Sequence, residues 1–158
     1  MKNNSIAFVF VSLFLLLTIF PSLGINAAEI ELNGECFFVP SEELLQSFQS
    51  ILFSPPGAAS VSIFGTRQRW KIMAKAIDRS LVAGNIQLWV RRTNDGIGPG
   101  EITGGTFYVP LEAQEKAIFR GIGDISHIPL QFKLTGITPE TPENAFQSEI
   151  FFKVVDMP

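Results

Sequence analysis

Cysteine is almost absent. Cys36 stands alone in 158 residues, so an internal disulfide is excluded and stability has to come from packing. Histidine is as scarce: His127 is the single copy, which excludes a metal cage built from several imidazoles. A Cys36–His127 dyad would require Cys36 to leave the apolar strand face on which alternation puts it. Ser126 beside His127 is no triad signal, because triads are set by geometry and not by adjacency. No run of basic residues exists among the 12 Lys and Arg, which argues against a nucleic-acid partner.

Phosphate-binding signatures are missing too. In "NIQLWVRRTNDGIGPG", Asn85 to Gly100, no Lys-Ser or Lys-Thr follows the glycines, so a P-loop is excluded. Gly98 and Gly100 lead into Glu101, Ile102 and Thr103, so the dinucleotide fingerprint lacks its third glycine. Asn94-Asp95-Gly96 reads instead as a turn after a strand. These absences point away from an enzyme, and no catalytic residue, metal or cofactor is expected.

One long apolar run is present, Ile6 to Phe20, preceded by Lys2 and ended by Pro21. It is shorter than the about 20 residues of a membrane span and has the form of a signal-peptide core. Ser22, Gly24, Ala27 and Ala28 offer small residues for cleavage, with the alanines the better fit. The alternative is a retained N-terminal anchor. Removing residues 1–28 takes away one base and no acid, so the net charge goes from −3 to −4. About 130 residues remain, enough for one domain, 29–158.

Period-two alternation dominates that domain. Ile30, Leu32, Cys36 and Phe38 fall on one face of a terminal strand. Trp70, Ile72, Ala74 and Ala76 point inward, with Lys71 and Lys75 outward. Ile86, Leu88 and Val90 point inward, as do Ile128, Leu130, Phe132 and Leu134, with Gln131 and Lys133 outward. Ile150, Phe152 and Val154 close the series. Seven or eight strands at this spacing predict an all-β, immunoglobulin-like antiparallel sandwich. "SEELLQSFQSIL" breaks the rhythm. Leu44, Leu45, Phe48, Ile51 and Leu52 are helically spaced, with Ser41 as a cap and Pro55-Pro56 as a stop; an irregular strand and loop is the alternative. Thr138 to Ala145 reads as a polar loop. Cys36 reads as a buried small hydrophobe or, more sharply, as an intermolecular disulfide.

The strand parity leaves Gln87, Trp89 and Arg91 outward. An outward Trp flanked by Gln and Arg can stack on a sugar or anchor a partner. The alternative is that Trp89 belongs to a second core layer, or packs against a loop or the helix. Arg92 falls on the inward side near the strand end, where its head reaches solvent.

Through "WVRRTNDGIGPGEITGG", "FRGIGD", "IPLQFKLTGI" and "SEIFFKVV" the chain resembles a group of exported bacterial β-sandwich proteins, over roughly Val61 to Val155. More loosely it resembles pilin subunits of the chaperone–usher type. It departs from them in having one Cys and in ending "VVDMP". The resemblance implies a secreted, periplasmic or cell-surface location and a non-enzymatic role as a surface, fimbrial-like or adhesion component. Separately, the alternating segment Glu29–Val39 can complete its own sandwich, which is the default, or pair with the open edge of another copy or surface subunit. The alternative is a carbohydrate-binding module using Trp89. No membrane association is expected after leader removal.

The leader reading makes a direct prediction. The exported chain should begin between Ile25 and Glu29, as read by intact-mass spectrometry; a retained Met1 would overturn it.

Overall fold

A computed structural model describes residues 9–12, 28–34, 36–38, 50–65, 68–78, 86–137 and 148–158. Among these residues there are twelve strands and no helix. One sheet runs β3 (Cys36–Phe38), β1 (Val9–Ser12), β12 (Ser148–Met157), β6 (Arg69–Asp78), β10 (Lys116–Ile122), β8 (Glu101–Thr103). The other runs β2 (Glu29–Gly34), β5 (Ala59–Phe64), β11 (Ile125–Ile137), β7 (Gln87–Arg92), β9 (Val109–Pro110), and β4 (Ser50–Phe53) also pairs with β11. All ladders are antiparallel except β1 on β12. The predicted all-β antiparallel sandwich is therefore the observed architecture.

From β5 to β12 each strand lies in the sheet opposite its predecessor, and no two strands consecutive in the chain pair with each other. Asn94 to Gly100 is thus an arch between sheets and not a hairpin. It is stitched to the β10–β11 connection: Ile97 and Ser126 exchange both backbone hydrogen bonds at 2.7 Å, and Gly100 N–H donates to the Asp124 carbonyl at 3.2 Å.

Alternation does what it predicts for the core. Trp70, Ile72, Ala74 and Ala76 are buried from β6, Leu88 and Val90 from β7, and Ile128, Leu130, Phe132 and Leu134 from β11. Ile150 of β12 is buried, and Phe152 and Val154 pack partly buried against the same cluster. Each fully buried large side chain contributes roughly 1.5–3 kcal/mol, so these inner faces dominate the stability.

Three expectations are revised. The terminal segment is not one strand with one face. It breaks after Gly34, so Ile30 and Leu32 pack half-buried on the second sheet, while Cys36 and Phe38 belong to the first. The Cys36 and Phe38 side chains lie outside the described residues. The end of the expected helix is strand β4, with Leu52 buried and Ile51 exposed, because Leu52 pairs with Leu134 in the β11 ladder. Residues 41–49 and the loop Thr138 to Ala145 lie outside the described residues. Arg92 does not reach solvent: it is only 7% exposed, its Nε donates to the Gly104 carbonyl and its guanidinium contacts the Asp95 carboxylate. The arch after β7 supplies the Asp95 carboxylate, and the connection after β8 supplies the Gly104 carbonyl.

Within the apolar run read as a leader, Val9–Ser12 forms β1 between β3 and β12. Among the described residues no helix is long and apolar enough to cross a membrane.

Trp70 fixes the first sheet. It is fully buried, donates its indole N–H to the Gly123 carbonyl at 2.8 Å, and meets Phe119 edge-on at 6.3 Å between centroids. Gly121 lies opposite it on β10. A β-carbon there would sit 2.5 Å from Trp70 Cζ2 and 2.5 Å from the Glu101 carbonyl oxygen, so only glycine admits the indole without displacement. Overpacking of this kind costs about 1–3 kcal/mol. Gly121→Ala should lower the urea midpoint by an amount corresponding to that loss; an unchanged midpoint would show that the indole can move aside.

Candidate functional site

The outer face of β7 carries the three residues singled out in the sequence. Because Leu88, Val90 and Arg92 point inward, Gln87, Trp89 and Arg91 point outward, and all three are half-buried. Pairing decides what they meet. β7 runs antiparallel to β11 with Trp89 opposite Lys133, Arg91 opposite Gln131 and Gln87 opposite Thr135. On the other side Trp89 pairs with Pro110 of β9, which brings Tyr108 onto the same face.

The result is a layered platform of aromatic rings and cations. Trp89 donates its indole N–H to Thr135 Oγ1 at 3.1 Å. The Lys133 ammonium lies between two rings, 4.3 Å from the Trp89 centroid and 4.7 Å from that of Tyr108. The Arg91 guanidinium also lies over Tyr108, at 4.7 Å. Phe53, exposed at the end of β4, tilts against Tyr108 with centroids 5.9 Å apart. Cations over exposed rings are worth about 0.5–1 kcal/mol each.

Gln131 holds this group in place. Its side chain is nearly buried, and its Oε1 accepts from Arg91 Nε at 3.0 Å, Arg91 Nη2 at 2.7 Å and the Tyr108 hydroxyl at 3.0 Å. Its Nε2 donates to the Ser54 carbonyl at 3.0 Å. Ser54 in turn bridges the step between β5 and β4 along β11, accepting the Phe132 N–H at 2.9 Å through Oγ. Partial burial raises the Tyr108 phenol above its ordinary pKa, with the Arg91 charge and hydrogen bond acting in the opposite direction. The phenol is therefore protonated at neutral pH and acts as the donor to Gln131.

The structure thus brings Trp89 and Arg91 together but sets Gln87 apart. The Gln87 amide donates to the Leu111 carbonyl at 2.7 Å and the Leu88 carbonyl at 3.0 Å. It lines a separate recess of about 210 Å³ with Ile86, Leu111 and Ser148, smaller than the roughly 300–1,000 Å³ of ligand pockets. Tyr108, Gln131, Lys133 and Thr135 were not singled out as site residues from the sequence. The parity of β11 put Gln131 and Lys133 outward, but which strand lay beside them was not readable. Tyr108 precedes a two-residue strand too short to carry a period.

His127 lies elsewhere on β11. It is exposed, has a left-handed φ of 53°, and its backbone N–H donates to Ser62 Oγ at 3.1 Å. Among the described residues no three His, Cys, Asp or Glu side chains converge as a metal site.

Compared with protein-family models, curated proteins and solved structures, the chain finds no match.

Trp89 is outward but engaged, so its removal has a defined cost. One hydrogen bond of about 0.5–1.5 kcal/mol and one cation–π contact are lost. Trp89→Ala should therefore destabilise by about 1–2 kcal/mol in denaturant unfolding, well below the about 3–5 kcal/mol of a core Trp such as Trp70. A loss as large as that of Trp70→Ala would place Trp89 in the core.

Proposed function

We propose that the chain is an exported, non-enzymatic β-sandwich that acts as a surface or adhesion component and attaches to a glycan through the outer face of β7 and β11. One observation carries this reading: the Lys133 ammonium sits between the Trp89 and Tyr108 rings, beside Arg91, on a face pointing away from the core. A sugar presents apolar C–H faces and oxygen acceptors at once. The indole face suits the former and the cationic N–H groups suit the latter. Lys133 now covers Trp89. Its flexible stem lets the ammonium swing toward a ligand oxygen as the sugar takes its place on the ring. The exchange costs only the modest cation–π contact.

Strand-exchange assembly is a second reading, favoured by a different observation. Val9–Ser12 fills the slot between β3 and β12, and it lies in the segment that leader cleavage removes. In the exported chain that slot would fall to another strand, from the same chain or from a neighbouring subunit. Among the described residues, three other edges are poorly suited to pairing. β2 exposes Glu29 and Glu31, β9 contains Pro110, and β8 is three residues long.

A glycan array separates the two. The purified exported chain should bind a defined set of glycans as a monomer, and Trp89→Ala or Tyr108→Ala should weaken that binding at least tenfold. Binding of neutral glycans untouched by both substitutions, or absent altogether, would overturn the platform reading. Oligomers that grow with concentration and dissolve on addition of an 8–13 peptide would then favour strand exchange.

A further inference from the structure

The outer face of the first sheet gathers cations that the chain order scatters. Along β6 the buried residues Trp70, Ile72, Ala74 and Ala76 alternate with Arg69, Lys71, Met73 and Lys75, so the three cations share the outer face. On β10, Arg120 is directly opposite Lys71, and Ile122 is opposite Arg69. Like charges directly across a ladder destabilise a sheet. An acidic chain of net charge −3 has here placed two cations where they repel. Successive outward residues on one strand are about 7 Å apart. The four cations therefore form a short band on the middle of the sheet.

The band has a concave end. Arg69, Arg120, Thr103, Gly121, Ile122 and Met157, with Glu101 at one rim, line a recess of about 310 Å³. That volume is at the lower end of the range for small-ligand sites. Arg120 Nε donates to Thr103 Oγ1 at 3.3 Å, which aims the guanidinium along the recess. Glu101 is the sole carboxylate among the described residues that line it. Lys75 lies over the Phe151 ring at 5.5 Å, at the other end of the band. Lys153 on the same face is engaged by Glu115 at 3.5 Å and does not belong to the band.

We infer that this face binds an anionic polysaccharide, with Arg69 and Arg120 holding one carboxylate- or sulfate-bearing unit in the recess and Lys71 and Lys75 meeting the charges that follow. Guanidinium groups suit carboxylate and sulfate by forked hydrogen bonding, and the lysines act as point charges along the polymer. A linear polymer fits a band with a pocket at one end. A lipid surface would need no recess. The inference is independent of the Trp89 platform, which lies on the opposite sheet.

The test uses the purified full chain with five probes: polygalacturonate, heparin, neutral dextran, vesicles containing phosphatidylglycerol, and duplex DNA. Polygalacturonate or heparin should bind, and dextran should not. Binding should weaken about tenfold or more between 50 and 200 mM salt, as ion release at a few contacts requires. Arg69→Gln with Arg120→Gln should weaken it at least tenfold, while Lys153→Gln, on the same face but engaged by Glu115, leaves it unchanged. Arg120→Gln should leave the melting temperature unchanged or raise it, because it relieves the repulsion with Lys71. Equal or tighter binding to vesicles or DNA would overturn the polysaccharide assignment. So would dextran binding that the arginine substitutions abolish, insensitivity to the arginine substitutions, loss of binding in Lys153→Gln, or lost binding accompanied by a lower melting temperature.

Discussion

Alternation along β11 divides its side chains between two environments, and most of the second sheet follows from that division. Ile128, Leu130, Phe132 and Leu134 fill the centre of the sandwich, while Gln131, Lys133 and Thr135 stand on the far side. The strand pairs with β7 along one edge and with β5 and then β4 along the other. A register slip of one residue would carry the whole apolar set into water and the Gln131 network into the core. The core therefore enforces the platform: the buried residues of the strand hold Lys133 opposite Trp89 and Gln131 opposite Arg91.

What the sequence discloses is parity, and what it hides is pairing. The inward sets on β6, β7 and β11, and the outward setting of Trp89 and Arg91, are legible because a strand's two faces repeat every second residue. Neighbours across a ladder carry no such mark. Tyr108 reaches Arg91 only because β9 docks beside β7, and Phe53 reaches Tyr108 only because β4 docks on β11. The break after Gly34 hides in the same way, since alternation continues on both sides of it while the chain changes sheet. Arg92 misleads for a related reason: a cation at an inward position reads as a strand end in water until Asp95 of the arch and Gly104 beyond β8 supply its acceptors. The cationic band of the first sheet shows the reverse case. Its members are two residues apart or on different strands, so no basic run announces them.

Connectivity sets the folding problem. No strand pairs with its chain neighbour among the described residues, so no ladder can close as a local hairpin. Every ladder waits for loop closure over a longer stretch, and topologies of this kind fold slowly. The arches between sheets have to be formed as well. Their backbone hydrogen bonds, from Ile97 and Gly100 to the β10–β11 connection, tie two crossings together and fix the spacing between the sheets at that end. On that account the glycine-rich run serves assembly of the sandwich more directly than it serves any ligand.

The two tryptophans occupy opposite sheets and opposite solvation states. Trp70 is sealed in the core with its N–H on a backbone carbonyl, and Trp89 stands half-exposed beneath an ammonium. Their emission is therefore separable by colour. The sealed indole emits to the blue and changes only when the sandwich opens. The surface indole emits to the red and responds to whatever displaces Lys133. The protein thus carries two built-in optical probes, one for the integrity of the fold and one for the surroundings of the Lys133 ammonium on its outer face.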